Sequence, residues 1–324
     1  MTQKSFSCKK PVRDCLICEL APCPLLKEVL DKYSQGEAAP VPEYKAGDED
    51  PRNRLNHLSG EEWLYFTKTV MTTSYPSAYG HYLRKQHGAN KPPQLMKELI
   101  EFFTKKGDRV LDPFAGVGGT LLGASICDPP RKSVGIEINP KWIEIYRRVL
   151  EEYPEIAAGE MHLGDCRQVM QTMEDNSFDF IAADPPYNLQ LKRTMCTGKD
   201  SPFNNRHTDY NMISQEEGDI ANAKDYDDFL RAMGEVFTEC FRVLKGGRYM
   251  VVILRNAYQK GRYIFTHADI ARVAQEVNGG RGFIPKGEKV WYQAGARLRP
   301  YGYPFAYVPN IVHQYILILQ KPNR

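Results

Sequence analysis

Apolar positions in this chain switch between two rhythms. From Arg109 onward, short runs of aliphatic residues alternate with stretches in which apolar residues recur every third or fourth position. The runs predict strands at 109–114, 133–138, 160–165, 178–183 and 248–254, with helices near 118–127, 141–153 and 166–172. Tyr226, Phe229, Met233, Phe237, Phe241 and Leu244 recur at helical spacing, and Gly246-Gly247 supplies a stop. Two further strands are expected at 288–293 and 313–321. Upstream, Ser59 with Glu62 three residues on forms a capping box opening a helix through Trp63 and Val70. Pro92-Pro93 suits the first turn of another, through Leu95, Leu99 and Phe103. Alternation of this kind implies a parallel sheet covered on both faces. The expected architecture is α/β, doubly wound and seven-stranded, with the last two strands forming an antiparallel edge.

The first residues depart from this pattern. Residues 1–33 are cysteine-rich and close on a short amphipathic run, Leu25 to Tyr33. Residues 34–56, with Gly36, Pro40, Pro42, Gly47 and the acids Asp48 to Asp50, read as a solvated linker. A main domain over 57–324 remains. The 324 residues suffice for one large core and a small appendage. No run of about 18 apolar residues suggests a membrane span, and the N-terminus has no apolar signal core. The expected location is the cytosol, with no membrane partner. Eight cysteines in such a chain do not make a disulfide framework. Net charge is only +3, but its distribution is uneven. Residues 278–310 hold Arg281, Lys286, Lys289, Arg297 and Arg299 against Glu288, a net +4 that leaves the remainder near −1.

Two strings carry the chemistry. The first, Leu111-Asp112-Pro113-Phe114-Ala115-Gly116-Val117-Gly118-Gly119-Thr120, takes a strand into a glycine-rich turn that lets a ligand approach the backbone. Glu137, about 20 residues on at the end of the next strand, sits where an acid meets ribose hydroxyls in doubly wound folds. Asp165, ending the third strand, is placed to reach an adenine amino group. The dinucleotide fingerprint wants a third glycine where Leu121 stands, so the loop fits a nicotinamide cofactor poorly. A glycine turn with no ligand is the plain alternative.

The second string is Asp184-Pro185-Pro186-Tyr187, delivered by the apolar strand Phe178 to Ala183. Two prolines fix their own φ and have no N–H groups to satisfy. The Asp184 carboxylate and Pro185 carbonyl can therefore form a rigid acceptor pair beside the Tyr187 ring. An adenine amino nitrogen is a weak nucleophile because its lone pair is delocalised. Acceptors on both hydrogens favour a pyramidal nitrogen, while Tyr187 stacks on a base taken out of its duplex. Catalysis of methyl transfer by such a site is mostly positioning and electrostatics. An incidental surface turn is the alternative.

At these residues the chain resembles S-adenosylmethionine-dependent DNA amino-methyltransferases of the N6-adenine/N4-cytosine family. The matching pieces are Asp112 to Gly118, Gly135-Ile136-Glu137-Ile138-Asn139-Pro140, Gly164-Asp165, Asp184-Pro185-Pro186-Tyr187-Asn188, Cys240 to Gly247, and Lys91-Pro92-Pro93. Val117 and Gly119 stand where relatives often have Ser and Thr. The glycine loop precedes the Asp-Pro-Pro-Tyr tip, the reverse of many relatives and consistent with a circular permutation. No large insert is obviously dedicated to reading DNA sequence. The resemblance, over about 57–321, implies a Rossmann-like domain with S-adenosyl-L-methionine as cofactor and DNA as partner. It implies cofactor contacts from Lys91, Asp112, Phe114, Gly116, Gly118, Glu137, Asp165, Cys166 and Asp184, and a base held by Asp184, Pro185, Pro186 and Tyr187. The implied reaction is methylation of adenine N6. Cytosine N4, a base amine in structured RNA, and a non-catalytic nucleic-acid-binding module are the alternatives.

Three segments are candidates for contacting DNA. Residues 74–91 combine Tyr75, Tyr79, His81, Tyr82, Arg84, Lys85 and His87; residues 188–224 carry Lys192, Arg193, Lys199 and Arg206; residues 278–310 interleave their basic residues with Trp291, Tyr301, Tyr303, Phe305 and Tyr307. His207 and His313 are expected to be structural. In the N-terminal segment, Cys8, Cys15, Cys18 and Cys23 supply four thiols that could enclose a tetrahedral zinc, or less readily an iron–sulfur cluster. Cys127, Cys166 and Cys240 also suit packing roles.

Overall fold

In the computed structural model, residues 49–186 and 216–323 are described. The four N-terminal cysteines, Tyr187, residues 34–48 of the expected linker and residues 188–215 of the second candidate DNA segment lie outside the described residues. The chain divides after Asp48 into two units, and the description below concerns the second.

Capping places the first helix. Ser59 accepts from the Glu62 N–H and Glu62 reaches back to the Ser59 N–H, opening α1 (Gly60–Phe66). A two-residue strand β1 (Val70–Met71), a short helix α2 (His81–Arg84) and a 3₁₀ turn (Lys85–His87) follow. Pro93 opens α3 (Pro93–Phe103), which buries Leu95, Met96, Leu99, Ile100, Phe102 and Phe103 along one side. The regular alternation then runs β2 (Arg109–Asp112), α4 (Gly119–Ser125), β3 (Lys132–Glu137), α5 (Pro140–Glu152), β4 (Glu160–Leu163), α6 (Cys166–Gln171) and β5 (Phe178–Ala183). A 3₁₀ turn (Ile220–Asn222) leads to α7 (Tyr226–Val243) and β6 (Leu244–Leu254). A small hairpin, β7 (Ala257–Gln259) with β8 (Arg262–Ile264), precedes α8 (Thr266–Gly280), β9 (Ile284–Tyr292) and β10 (His313–Gln320).

The main sheet has the order β1-β9-β10-β6-β5-β2-β3-β4. Strands β4, β3, β2, β5 and β6 are mutually parallel, and β10 is antiparallel to both β6 and β9. Period-2 alternation divides the core. Val110, Phe180, Ala182, Val251, Ile253 and Ile316 pack with α3 on one face. Leu111, Ile181, Ala183, Val252, Leu254 and Leu317 pack with α6, α7 and α8 on the other. Each such buried side chain contributes roughly 1.5–3 kcal/mol of hydrophobic stabilisation. The doubly wound fold is as the alternation predicts.

Four details differ from the pattern. The described sheet has eight strands rather than seven, because Val70–Met71 pairs with β9 in a run too short to show a period. The antiparallel strand β10 is not at the edge but lies between β9 and β6, with Ile316 buried on the α3 face and Leu317 and Leu319 on the other. The helix expected to stop at Gly246-Gly247 ends at Val243, where Leu244 turns extended and pairs with Phe178. Residues 49–56, expected as linker, are tied to the domain: Lys105 Nζ bonds Glu49 at 2.7 Å, and the fully buried Asn56 donates to the Phe102 carbonyl at 2.6 Å.

Candidate active site

Four strand ends converge on one crevice. Strand β2 ends at Asp112, β3 at Glu137, β4 just before Gly164-Asp165, and β5 just before Asp184. Carboxyl ends of parallel strands are where doubly wound folds take their ligands. Here they line a cleft with an empty volume of about 1120 Å³, partly open to solvent.

The glycine loop forms its floor. Asp112 Oδ1 accepts the Phe114 N–H at 2.9 Å, and the Thr120 hydroxyl donates to Oδ2. The carboxylate thus ties the start of the loop to the first turn of α4. Burial pushes its pKa up to about 7. Gly116 has φ +51°, and a Cβ there would lie 3.3 Å from His87 Nε2. Gly118, at φ +79°, does not line the cleft; a Cβ there would collide with the Tyr146 ring of α5. Its place in the motif reflects packing between the loop and α5.

Glu137 is held from two sides. Oε2 accepts the Gly116 N–H and Oε1 the Asn139 N–H, each at 2.8 Å. Its orientation is fixed by backbone, and each oxygen keeps a further acceptor site. Burial raises its pKa to about 7. Asp165 caps α6, accepting the Arg167 N–H at 2.9 Å, and the Arg167 guanidinium grips both its oxygens, the shortest contact being 2.6 Å. Arg167 in turn reaches Glu235 and the Gly218 carbonyl, so Asp165 lines the cleft as part of a network. Cys166 lines it too, its thiol pushed up by burial and so protonated.

Lys91 and Asp184 meet where β5 ends. Their Nζ–Oδ2 distance is 2.5 Å, with the Lys91 side chain only 7% exposed. Pro185 and Pro186 continue the lining. Phe114 also lines the cleft. The structure therefore brings Lys91, Asp112, Phe114, Gly116, Glu137, Asp165, Cys166, Asp184, Pro185 and Pro186 together.

His87, Trp142 and Asp219 line the same cleft, and sequence reasoning did not place them there. His87, expected in a basic DNA-facing segment, stands edge-on to Trp142 with ring centroids 4.8 Å apart. Burial, aided by the Lys91 and Arg84 charges, lowers its pKa to about 4, so its imidazole is neutral. Its buried Nδ1 has no hydrogen-bond partner among the described residues. The 3₁₀ turn Lys85–His87 carries it into the cleft, a local bend with no periodic signature.

The sequence profile of the DNA methylase (N6/N4 methyltransferase) family matches residues 31–148 and 178–324. The chain belongs to this family. Among curated proteins, the chain is 35% identical over 100 residues to the type II methyltransferase M.BglI of Bacillus subtilis, covering 30% of this chain and 26% of that one. It is 29% identical over 133 residues to the DNA adenine methyltransferase YhdJ of Escherichia coli K12, 41% of each. It is 30% identical over 104 residues to a tRNA (guanine(10)-N2)-dimethyltransferase of Pyrococcus abyssi, 32% of this chain and 30% of that one. The chain thus spans well under half the length of these relatives. Among solved structures, TrmN of Thermus thermophilus superposes with a TM-score of 0.44 at 16% identity, covering 71% of this chain and 48% of that one.

The cleft fits the S-adenosyl-L-methionine that the family implies. Glu137 offers two fixed acceptors suited to a vicinal diol, and Phe114 and Cys166 offer apolar surface to a flat base. For metal, no group of three or more His, Cys, Asp or Glu residues suited to hold an ion occurs among the described residues. No helix among them is long and apolar enough to cross a membrane.

Proposed function

We propose that this protein methylates the N6 amine of adenine in DNA, on a base extruded from the duplex, with S-adenosyl-L-methionine as donor. The observation that supports this most directly is that Asp184-Pro185-Pro186 and the glycine loop with Glu137 open into one cleft. Glu137 would hold the ribose hydroxyls, Phe114 and Cys166 the adenine, and Lys91 the charged amino-acid end. The bound donor supplies an electrophilic methyl group on a sulfonium.

The chain's own residues do the rest. Asp184 and the Pro185 carbonyl accept the two amine hydrogens, turning the nitrogen lone pair out of the ring system. Tyr187 stacks on the base and resists its return to the duplex. The Asp184 carboxylate, oriented by the Lys91 ammonium, faces the amine as it turns cationic; the methyl group's bond to sulfur breaks as its bond to nitrogen forms, leaving the donor as a neutral thioether, and the surplus amine proton passes to water. The N-terminal cysteines Cys8, Cys15, Cys18 and Cys23 form a zinc-binding appendage in this reading, resting on their number and proximity alone.

Similarity to a tRNA guanine-N2-dimethyltransferase favours a second reading, a base amine in structured RNA, because that enzyme also acts on an exocyclic nitrogen. Incubating the protein with labelled donor and with DNA or RNA, then digesting to nucleosides for mass analysis, separates the readings. N6-methyladenine from DNA supports the first. N4-methylcytosine from DNA, or label confined to RNA, overturns it.

A further inference from the structure

Residues 293–312 join β9 to β10 and form a preorganised finger. Its base is clamped twice: the Arg299 N–H donates to Asn310 Oδ1, and Asn310 Nδ2 donates to the Arg299 carbonyl, each at 2.8 Å. Inside the clamp Gly302, at φ +74°, accepts from the Phe305 N–H at 2.7 Å and the Ala306 N–H at 2.8 Å. The turn drives its apolar side chains outward. Tyr303 is 80% exposed, Phe305 93% and Tyr307 86%. Large rings left in water on a loop held in one shape contribute nothing to the core, which points to a surface they cover.

Two further observations identify that surface. Strand β9 is antiparallel to β10, which is antiparallel to β6, so β9 points the same way as β6 and β5. The finger therefore leaves the same sheet edge as Asp184. The strand order β9-β10-β6-β5 puts its two roots about 10 and 14 Å from β5, at ~4.8 Å per strand. Its charge also has one sign: residues 289–323 contain no Asp or Glu, while Arg297 and Arg299 lie on the finger itself. Cations beside exposed rings suit phosphates beside bases.

We propose that the tip Tyr303–Tyr307 wedges against the base stack of duplex DNA beside the extruded target base, with Arg297 and Arg299 on the flanking phosphates. This rests on the DNA reading above. A ring filling the gap left by a departing base offsets part of the lost stacking, and the clamped loop enters without further ordering.

The test uses the full chain and a triple variant, Y303S/F305S/Y307S. The probe is a fluorescein-labelled 30-base-pair duplex of mixed sequence carrying 5-iodouracil for photo-crosslinking. Donor affinity and thermal melting should match the parent, because these side chains touch neither cleft nor core. Duplex affinity should fall at least tenfold, and crosslinks in the parent should map to residues 300–312. Unchanged duplex affinity with crosslinks elsewhere overturns the wedge while leaving the DNA reading intact. A parent that binds no duplex but methylates RNA overturns both. A concentration-dependent dimer of the parent that the variant abolishes, with DNA binding unaffected, reassigns the finger to self-association and overturns the proposal.

Discussion

Lys91 Nζ lies 2.5 Å from Asp184 Oδ2, joining residues 93 positions apart in an ion pair that lines the cleft. The pair links the segment that enters α3 to the tip beyond β5. Both partners are largely shielded from water, where attraction between opposite charges is stronger and the loss of one partner costs more than at a surface. Replacing Lys91 with Met should reduce turnover at least about tenfold, or ~1.4 kcal/mol of activation free energy. It should weaken donor binding as well. Replacing Asp184 with Ala should abolish turnover yet leave donor affinity within about threefold, because Glu137 and the glycine loop are untouched. Calorimetry with the donor alongside initial-rate assays checks both; an active D184A variant contradicts the role assigned to the tip.

Glu137 makes donor affinity depend on pH. Its pKa is raised to about 7 by burial, so the carboxylate is half protonated near neutrality. The ionised form accepts more strongly at both oxygens, whereas the protonated form turns one of them into a donor. Affinity should rise as the pH goes from 6 to 8, by several-fold, and Glu137→Gln should be weaker and nearly flat. Calorimetric titrations across that range measure it. A parent profile as flat as the variant's refutes the assignment of Glu137 to the ribose.

Asp112 predicts a stability profile. Its folded pKa, about 7, lies above the ordinary value of 3.8, so the folded state binds the proton more tightly than the unfolded one. Its contribution is present at low pH and is lost as the pH climbs from about 4 to 7, at up to ~1.4 kcal/mol per unit. Asp112→Asn removes the titration while keeping an acceptor for the Phe114 N–H. The variant should therefore gain stability relative to the parent between pH 5 and 7. Urea denaturation at matched pH values reads the difference.

Gly118→Ala should destabilise the fold by roughly 1–3 kcal/mol, through its left-handed φ and the contact of the new methyl with Tyr146. Because Gly118 lies outside the cleft lining, the folded fraction of the variant should retain most of its donor affinity. Thermal melting with and without donor distinguishes this from a direct binding defect.

The parts of the site legible in the sequence are those where chemistry and backbone demand coincide. Glu137 and Asp184 end buried strands, and a strand of period two delivers its next residue to a predictable edge. The tip's prolines and the glycines of the turn are punctuation that composition exposes directly. His87 reads as part of a candidate DNA-contacting segment because nothing in the 74–91 stretch reveals that a 3₁₀ turn sets it against Trp142 in the cleft. Gly118 shares a motif with Gly116, and only the position of Tyr146 on α5 separates a packing glycine from one that lines the cleft. Likewise, the apolar run at 313–321 announces a strand but not its neighbours. Its insertion between β6 and β9 follows from long-range pairing that no local pattern encodes.

That insertion sets an order of assembly. The five parallel strands β2 to β6 can associate as soon as residue 254 is available, whereas β9, although earlier in the chain than β10, has no seat until residues 313–320 arrive. Until then β6 presents an open hydrogen-bonding edge with apolar side chains, a surface on which a chain interrupted in this interval would self-associate.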